Sequence, residues 1–419
     1  MHAADPVNCA VDVPAVRRQT SPSGAKPMPL PCPWPVTETP RPLSLALGGL
    51  VALAVAVGIG RFVYTPILPL MVEDLGMTKG AAGLLASANF LGYLAGALLA
   101  ATPAVPGSRR RWLMIALTVS ALTTGAMACA SSNVAFLTLR FAGGVASAFV
   151  LVFASALVLD RLSAAGRSDL SAVHFAGVGA GIALSAVLVS SLAMWGGGWR
   201  SLWLASGLTS VLAVGIVGGL IPAQAEPATA MTSRPSRPNP RLAALVAAYG
   251  LFGYGYIITA TFLVAIVRGS EQVRPVEPVV WLVVGLTAAP SVALWTWVGE
   301  KIGIARAFAL ACGIEAVGVM ASVLWLAPPG VLLAAALLGG TFMGITALGL
   351  VGARRLSQGD PRRTLAVMTA AFGLGQIVGP AFAGAVYDAT GSLLVPSLTA
   401  VSTLLVGALL AIVSSAQTV

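Results

Sequence analysis

Gly58-Ile59-Gly60-Arg61-Phe62-Val63-Tyr64-Thr65-Pro66-Ile67-Leu68-Pro69-Leu70-Met71 sets one arginine inside an apolar run, with two glycines before it and two prolines after it. Its opening triplet returns 195 residues later as Gly253-Tyr254-Gly255. Three more matches follow in the same order. Gly143-Gly144 returns as Gly339-Gly340, Arg161-Leu162-Ser163 as Arg355-Leu356-Ser357, and Gly177-Val178-Gly179 as Gly373-Leu374-Gly375. Glycine is frequent, at 47 of 419 residues, so one match alone means little. Four ordered matches at offsets of 194 to 196 mark an internal repeat, and each lies on or beside an apolar stretch. Membrane proteins built from two like halves hold a solute between the halves, near the bilayer midplane.

Composition places the chain in a membrane. Hydrophobic residues are 57%, charged residues 9%, and mean hydropathy is +0.91. Soluble domains carry about 25% charge. The net charge of +10 is not a nucleic-acid signature, because the basic residues fall in short clusters between apolar spans. It reads as topogenic charge beside an anionic lipid surface, so membrane lipid is an expected partner and nucleic acid is not. Cys9, Cys32, Cys129 and Cys312 are scattered, with no Cys/His cluster, so no metal site is expected. No Walker loop and no nucleophile constellation occurs. We therefore expect no cofactor and no enzyme.

Twelve apolar stretches are long enough to span a bilayer, which takes about 20 residues. Six run near 43–71, 80–102, 112–130, 134–159, 171–194 and 201–221; six more near 242–267, 279–298, 307–326, 331–353, 364–386 and 393–413. This predicts an all-α membrane protein of twelve transmembrane helices in two pseudo-symmetric six-helix bundles, 42–221 and 242–413. A proline-rich linker, 222–241, joins them. Residues 1–41 read as a disordered tail and 414–419 as a short one. With the N-terminus inside, 18 of the 24 Lys and Arg residues fall on inner segments, four on outer ones, and Arg61 and Arg140 within spans. That asymmetry predicts a multi-pass protein with both termini cytoplasmic.

Ionisable residues within spans are the first candidates for function. A cation at the bilayer centre costs roughly 2.5–3.5 kcal/mol. Arg61 either anchors an anion at a central cavity, or is a structural cation that meets helix carbonyls or snorkels outward. Arg140, about six residues into the fourth span, is a second arm of such a site or a clamp between helices. Glu315 is the carboxylate deepest in a span. It is a candidate for proton coupling, or a hydrogen-bonded glutamate of structural use. His174 is a candidate proton relay, or a satisfied side chain near the membrane boundary.

Several segments resemble the major facilitator superfamily over about residues 43 to 413. Glu300-Lys301-Ile302-Gly303-Ile304-Ala305-Arg306 resembles its inner-loop motif, while Gly107-Ser108-Arg109-Arg110-Arg111 keeps the cations and lacks the acid. Arg140-Phe141-Ala142-Gly143-Gly144 is similar to an Arg-x-x-x-Gly motif of proton-linked members. Gly375-Gln376-Ile377-Val378-Gly379-Pro380 resembles an exporter element, but in the eleventh span rather than the fifth. The opening stretch, with Ser87-Ala88-Asn89-Phe90-Leu91-Gly92-Tyr93 and His174-Phe175-Ala176-Gly177-Val178-Gly179, looks like the YbfB/YjiJ-like branch. The resemblance implies the major facilitator fold, alternating access, a small-molecule substrate, proton coupling and a bacterial inner membrane. It also implies that Tyr64, Asn89, Tyr93, Tyr256 and Gln376 lie on cavity-lining spans and can contact substrate beside Arg61 and Arg140. Arg109, Arg110, Arg111, Glu300, Lys301, Gly303 and Arg306 would form the gating loops. Two unpaired arginines favour an organic anion. Export of drug-like amphipathic compounds is the alternative reading, and a non-transporting membrane sensor is the alternative from another class.

Overall fold

A computed structural model describes residues 41–102, 105–223, 239–357 and 361–415. Most of the two expected tails and of the linker lies outside the described residues. Among the described residues, twelve helices are long and apolar enough to cross a membrane. The first six are α1 Pro42–Leu75, α2 Lys79–Ala100, α3 Arg109–Cys129, α4 Asn133–Ala164, α5 Ser168–Met194 and α6 Trp199–Leu220. The second six are α7 Pro240–Arg268, α8 Arg274–Ile302, α9 Ile304–Leu324, α10 Pro328–Leu356, α11 Arg363–Thr390 and α12 Leu394–Ser415. Each overlaps an expected span. Helices are the natural outcome, because hydrocarbon offers backbone groups no partner outside the helix itself.

Helix ends follow local chemistry. Thr78, Ser108, Ser132 and Asn239 accept hydrogen bonds from backbone N–H groups of the first turns of α2, α3, α4 and α7. Pro42, Pro240 and Pro328 open α1, α7 and α10, where a missing N–H costs nothing. Gly303 turns α8 into α9 with φ +90, a backbone state that a side chain would strain.

The long first helix is broken where the sequence loosens it. Pro42–Leu53 is α-helical, Ala54–Ile59 is a π-helix, and α-helix resumes at Tyr64–Leu75. Gly60 N donates to Val55 O at 2.7 Å and Phe62 N to Val57 O at 3.2 Å, the wider π spacing. Pro66 lacks an N–H and its ring disfavours a regular turn below it. At the break Thr65 N donates to Phe62 O at 3.2 Å rather than to Arg61 O, and the carbonyls of Gly60 and Arg61 meet other partners.

The halves meet through α2 against α11 and α5 against α8. Glycines make this close approach possible. A Cβ on Gly83 would run into Pro380 O, and one on Gly179 into the Ala289 backbone. One apolar core fills the second bundle and continues into the first bundle around Phe62, Ile67, Phe90, Phe136 and Trp203. These residues lie from mid-membrane to the face opposite the ends of the described chain, here the far face. A separate core around Leu45, Leu117, Phe153, Leu157 and Val217 fills the terminal-face half of the first bundle. The bundles are thus welded across their far halves.

Candidate functional site

Arg61 sits at the break in α1, 5% exposed, where the two bundles meet. Its Nη2 donates to Gln376 Oε1 of α11 at 2.8 Å. Its guanidinium lies 4.3 Å from the Tyr93 ring centre, 4.5 Å from Phe90 and 5.5 Å from Phe62. A desolvated cation–π contact contributes up to about 2 kcal/mol, so the two nearest rings are worth about the membrane penalty of the charge. Arg61 Nε has no hydrogen-bond partner. No carboxylate lies within ion-pair distance of Arg61 or Arg140 among the described residues.

Arg140 reaches from α4 to the carbonyls at the break. Its Nη1 donates to Gly60 O and its Nη2 to Arg61 O, each at 3.3 Å, and its guanidinium lies 4.7 Å from the Tyr64 ring centre. Asn89 Nδ2 donates in turn to Arg140 O at 2.8 Å, while Asn89 Oδ1 is buried without a partner. Tyr64 turns its hydroxyl to Ala82 O, 2.7 Å away. The structure therefore brings Arg61, Tyr64, Asn89, Tyr93 and Arg140 into one cluster. Within it, Arg140 and Asn89 are bonded to backbone while Arg61 is bonded to a side chain, and the Nε of each arginine is without a partner.

The second bundle adds Gln376 and Tyr256. Gln376 Nε2 donates to the Tyr256 hydroxyl, so Gln376 links Arg61 to Tyr256 across the bundle junction. Arg61 and Tyr256 stand 195 residues apart, the repeat offset, and so occupy equivalent places in the two halves. Tyr256 is nearly parallel to Phe342 and Phe372, at 5.7 and 5.8 Å between ring centres. Beside it a void of about 10 Å³ is bounded by Phe62, Tyr256, Trp281 and Phe342, where Trp281 Nε1 has no partner. The centre is closed in this state. A cavity of about 870 Å³ lies elsewhere, between α7, α11 and α12 on the flank of the second bundle. Buried polar atoms locate the site better than volume here, since each is costly in hydrocarbon and must have a use.

The two proton candidates lie apart from each other. His174 Nε2 is 3.0 Å from Ser155 Oγ, and its unpartnered Nδ1 faces Gly49 of α1. Glu315 is fully buried in α9 beside Thr341 and Cys312, and neither carboxyl oxygen has a regular hydrogen bond. At the terminal face Arg109 pairs with Asp160 of α4 at 3.0 Å, so the acid missing from the first loop is supplied by a neighbouring helix. Arg110 bonds to the carbonyls of Gly218 and Ile221, and Arg111 lies in the first turn of α3. Glu300, Lys301 and Arg306 are exposed around the Gly303 turn.

Sequence reasoning missed a polar cluster at the far face. Arg268 donates to both Glu73 oxygens, at 2.6 and 2.8 Å, and to Glu277 Oε1 at 2.9 Å. Gly80 N donates to Asp388 Oδ2 at 2.9 Å, so Asp388 ties α11 to α2. A signal existed: Glu73 and Arg268 carry opposite charges and stand 195 residues apart, the offset that also separates the bonded pair Thr65 and Ala260.

A family model described as "Uncharacterised MFS-type transporter YbfB" matches residues 53–412. The chain belongs to that family. That family is one of the MFS-type transporters, and the twelve membrane-long helices described above fit it. A gallate transporter of Pseudomonas putida is 28% identical over 195 residues, 46% of this chain and 42% of that protein. The match thus spans less than half of that relative's length. A mutant of the nucleoside transporter NupG superimposes with a TM-score of 0.70 at 16% identity, over 89% of this chain and 100% of that one. A bacterial homologue of the human lysosomal transporter Spinster, solved inward-facing and unoccupied, gives 0.64 at 15% identity, over 90% and 96%. These two likenesses show the fold.

Proposed function

We propose that this transporter carries a small organic anion with a flat aromatic body, by alternating access around Arg61. One observation carries the reading. Arg61 is a buried cation at the bundle junction, flanked by ring faces, with an unused Nε and, among the described residues, no carboxylate partner. A carboxylate there would meet a planar fork of N–H donors, and an attached ring would meet Phe90, Tyr93 and Tyr256. The gallate-transporting relative is consistent with this chemistry, because gallate is an aromatic carboxylate. Rocking about the junction would open the site first to one face and then to the other.

Proton coupling through His174 or Glu315 belongs to the same proposal, as does residence in a bacterial cytoplasmic membrane with both termini inside. The basic residues that cluster on the terminal face favour that orientation.

The test is flux into proteoliposomes. Labelled gallate or benzoate should accumulate, unlabelled aromatic carboxylates should compete, and acetate and benzylamine should compete poorly. Uptake of benzylamine in place of benzoate would overturn the anion reading. Binding of benzoate without any flux would favour a sensor on the same fold.

A further inference from the structure

Helix α7 packs closely on both α11 and α12, but α11 and α12 barely touch each other. Between them a fissure of about 870 Å³ opens on the outer flank of the second bundle. Its floor is recessed because α7 presents Ala243, Ala247 and Gly250 there, small residues at helical spacing. Its α11 wall is Val367, Leu374 and Val378, exposed by 46%, 60% and 46%. These side chains face away from Phe372 and Gln376, so the fissure is separate from the central cluster.

The fissure is charged at one end only. Its one cation, Arg363, lines it at the terminal face with Asn239 and Thr364; deeper in, the Tyr254 and Thr403 hydroxyls are bonded to Thr399 and to Ala400 O, and no acidic residue among the described ones lines it. From Arg363 to Val378 the wall extends about 22 Å at 1.5 Å per residue. One leaflet of hydrocarbon is about 15 Å thick, half of the full core. A cation at the membrane surface above an apolar slot that spans a leaflet matches an amphipath with a long tail and an anionic head. A compact solute would leave most of the slot empty. The volume lies within the usual range for ligand sites, about 300–1,000 Å³.

We propose that this fissure binds a membrane phospholipid with an anionic headgroup, its phosphate at Arg363 and an acyl chain along Ala247, Gly250 and Leu374. Basic pockets between membrane helices are known to select such headgroups. The lipid would fill the space that α11 and α12 leave between them, bracing α11 on the side opposite Gln376.

The test uses the full chain, purified in detergent, stripped of lipid and offered equal phosphatidylglycerol and phosphatidylcholine. Lipid retained on the protein is then counted by native mass spectrometry. Phosphatidylglycerol should be retained about fivefold over phosphatidylcholine, the worth of one cation near an anionic group. Arg363→Gln should erase the preference. Leu374→Trp, which narrows the slot, should lower retention of both lipids. Both residues are exposed, and unchanged thermal unfolding would show that each variant is folded. The proposal is overturned by equal retention of the two lipids, by a preference that survives Arg363→Gln, or by full retention in Leu374→Trp.

Discussion

Two arginines buried in one membrane protein look alike in sequence and do different work in the fold. Arg140 meets the two carbonyls at the break in α1, whereas Arg61 meets one amide and ring faces. Arg61→Lys should weaken binding of an aromatic carboxylate about tenfold, since it keeps the charge and loses the planar fork. Arg61→Gln should cost about 2–5 kcal/mol of binding and abolish measurable flux, with folding retained. Isothermal titration and uptake read both effects, and normal uptake by Arg61→Gln would make the residue structural. Arg140→Gln should act mainly on stability, by about 1–3 kcal/mol, because two buried carbonyls lose charged donors. Denaturant unfolding in detergent checks it. His174 touches α1, the helix that bears Arg61, while Glu315 lies beside Thr341 and Cys312 of the second bundle. His174→Ala should therefore change the pH dependence of uptake more than Glu315→Gln. The reverse order would place coupling in the second bundle.

Among the elements, α1 and the two inter-bundle helix pairs matter most. The π-segment Ala54–Ile59 shifts the helical phase so that Arg61 and Tyr64 project to opposite neighbours, one towards α11 and the other towards Ala82 of α2. Such segments cost backbone regularity and recur at functional sites. The pair α5 and α8 depends on Gly179 and Gly285, each placed where a Cβ would strike backbone of the other bundle. Gly179→Leu should wedge this contact apart and reduce transport at least tenfold, more than Gly215→Leu in α6, where a Cβ meets open space. Comparable uptake by the two variants would show that tight α5–α8 packing is dispensable.

At the scale of the molecule, polar links between the bundles run from mid-membrane to the far face. They include Thr65 to Ala260 O at 2.8 Å, Ser87 to Ile377 O at 2.6 Å, Ser190 to Pro278 O at 3.1 Å, and the Glu73–Arg268 pair. Glu73 and Arg268 come from different bundles, whereas Glu277 and Arg268 share one. Arg268→Gln should therefore loosen the far face and raise thiol-reagent labelling of a Thr65→Cys probe, with Glu277→Gln doing so less. The ion pair is partly exposed, so a shift of about 0.5–1 kcal/mol, or two- to fivefold in labelling, is the expected size. Unchanged labelling in Arg268→Gln would leave the far-face seal to apolar packing alone. Reporter fusions at the C-terminus and at Gly269 should fall on opposite sides of the membrane, the first in the cytoplasm.

The sequence by itself determined the twelve helices, the two-fold repeat and the presence of two intramembrane arginines. Those properties are legible because the bilayer reads the chain locally: about 20 apolar residues cross it, and a charge inside stands out by its cost. The break in α1 was legible for the same reason, in Gly58, Gly60, Pro66 and Pro69. Only the tertiary structure decided which donor meets which acceptor. Arg61 finds Gln376 across 315 positions, and Glu73 finds Arg268 across 195. Whether Arg140 faces substrate or backbone depends on the rotation of α4 against α1, and a single π-turn changes that phase. Hydropathy carries no record of rotation or of distant pairing, so the partners of the arginines, the far-face ion pair and the fissure beside α11 emerge only once the helices are packed.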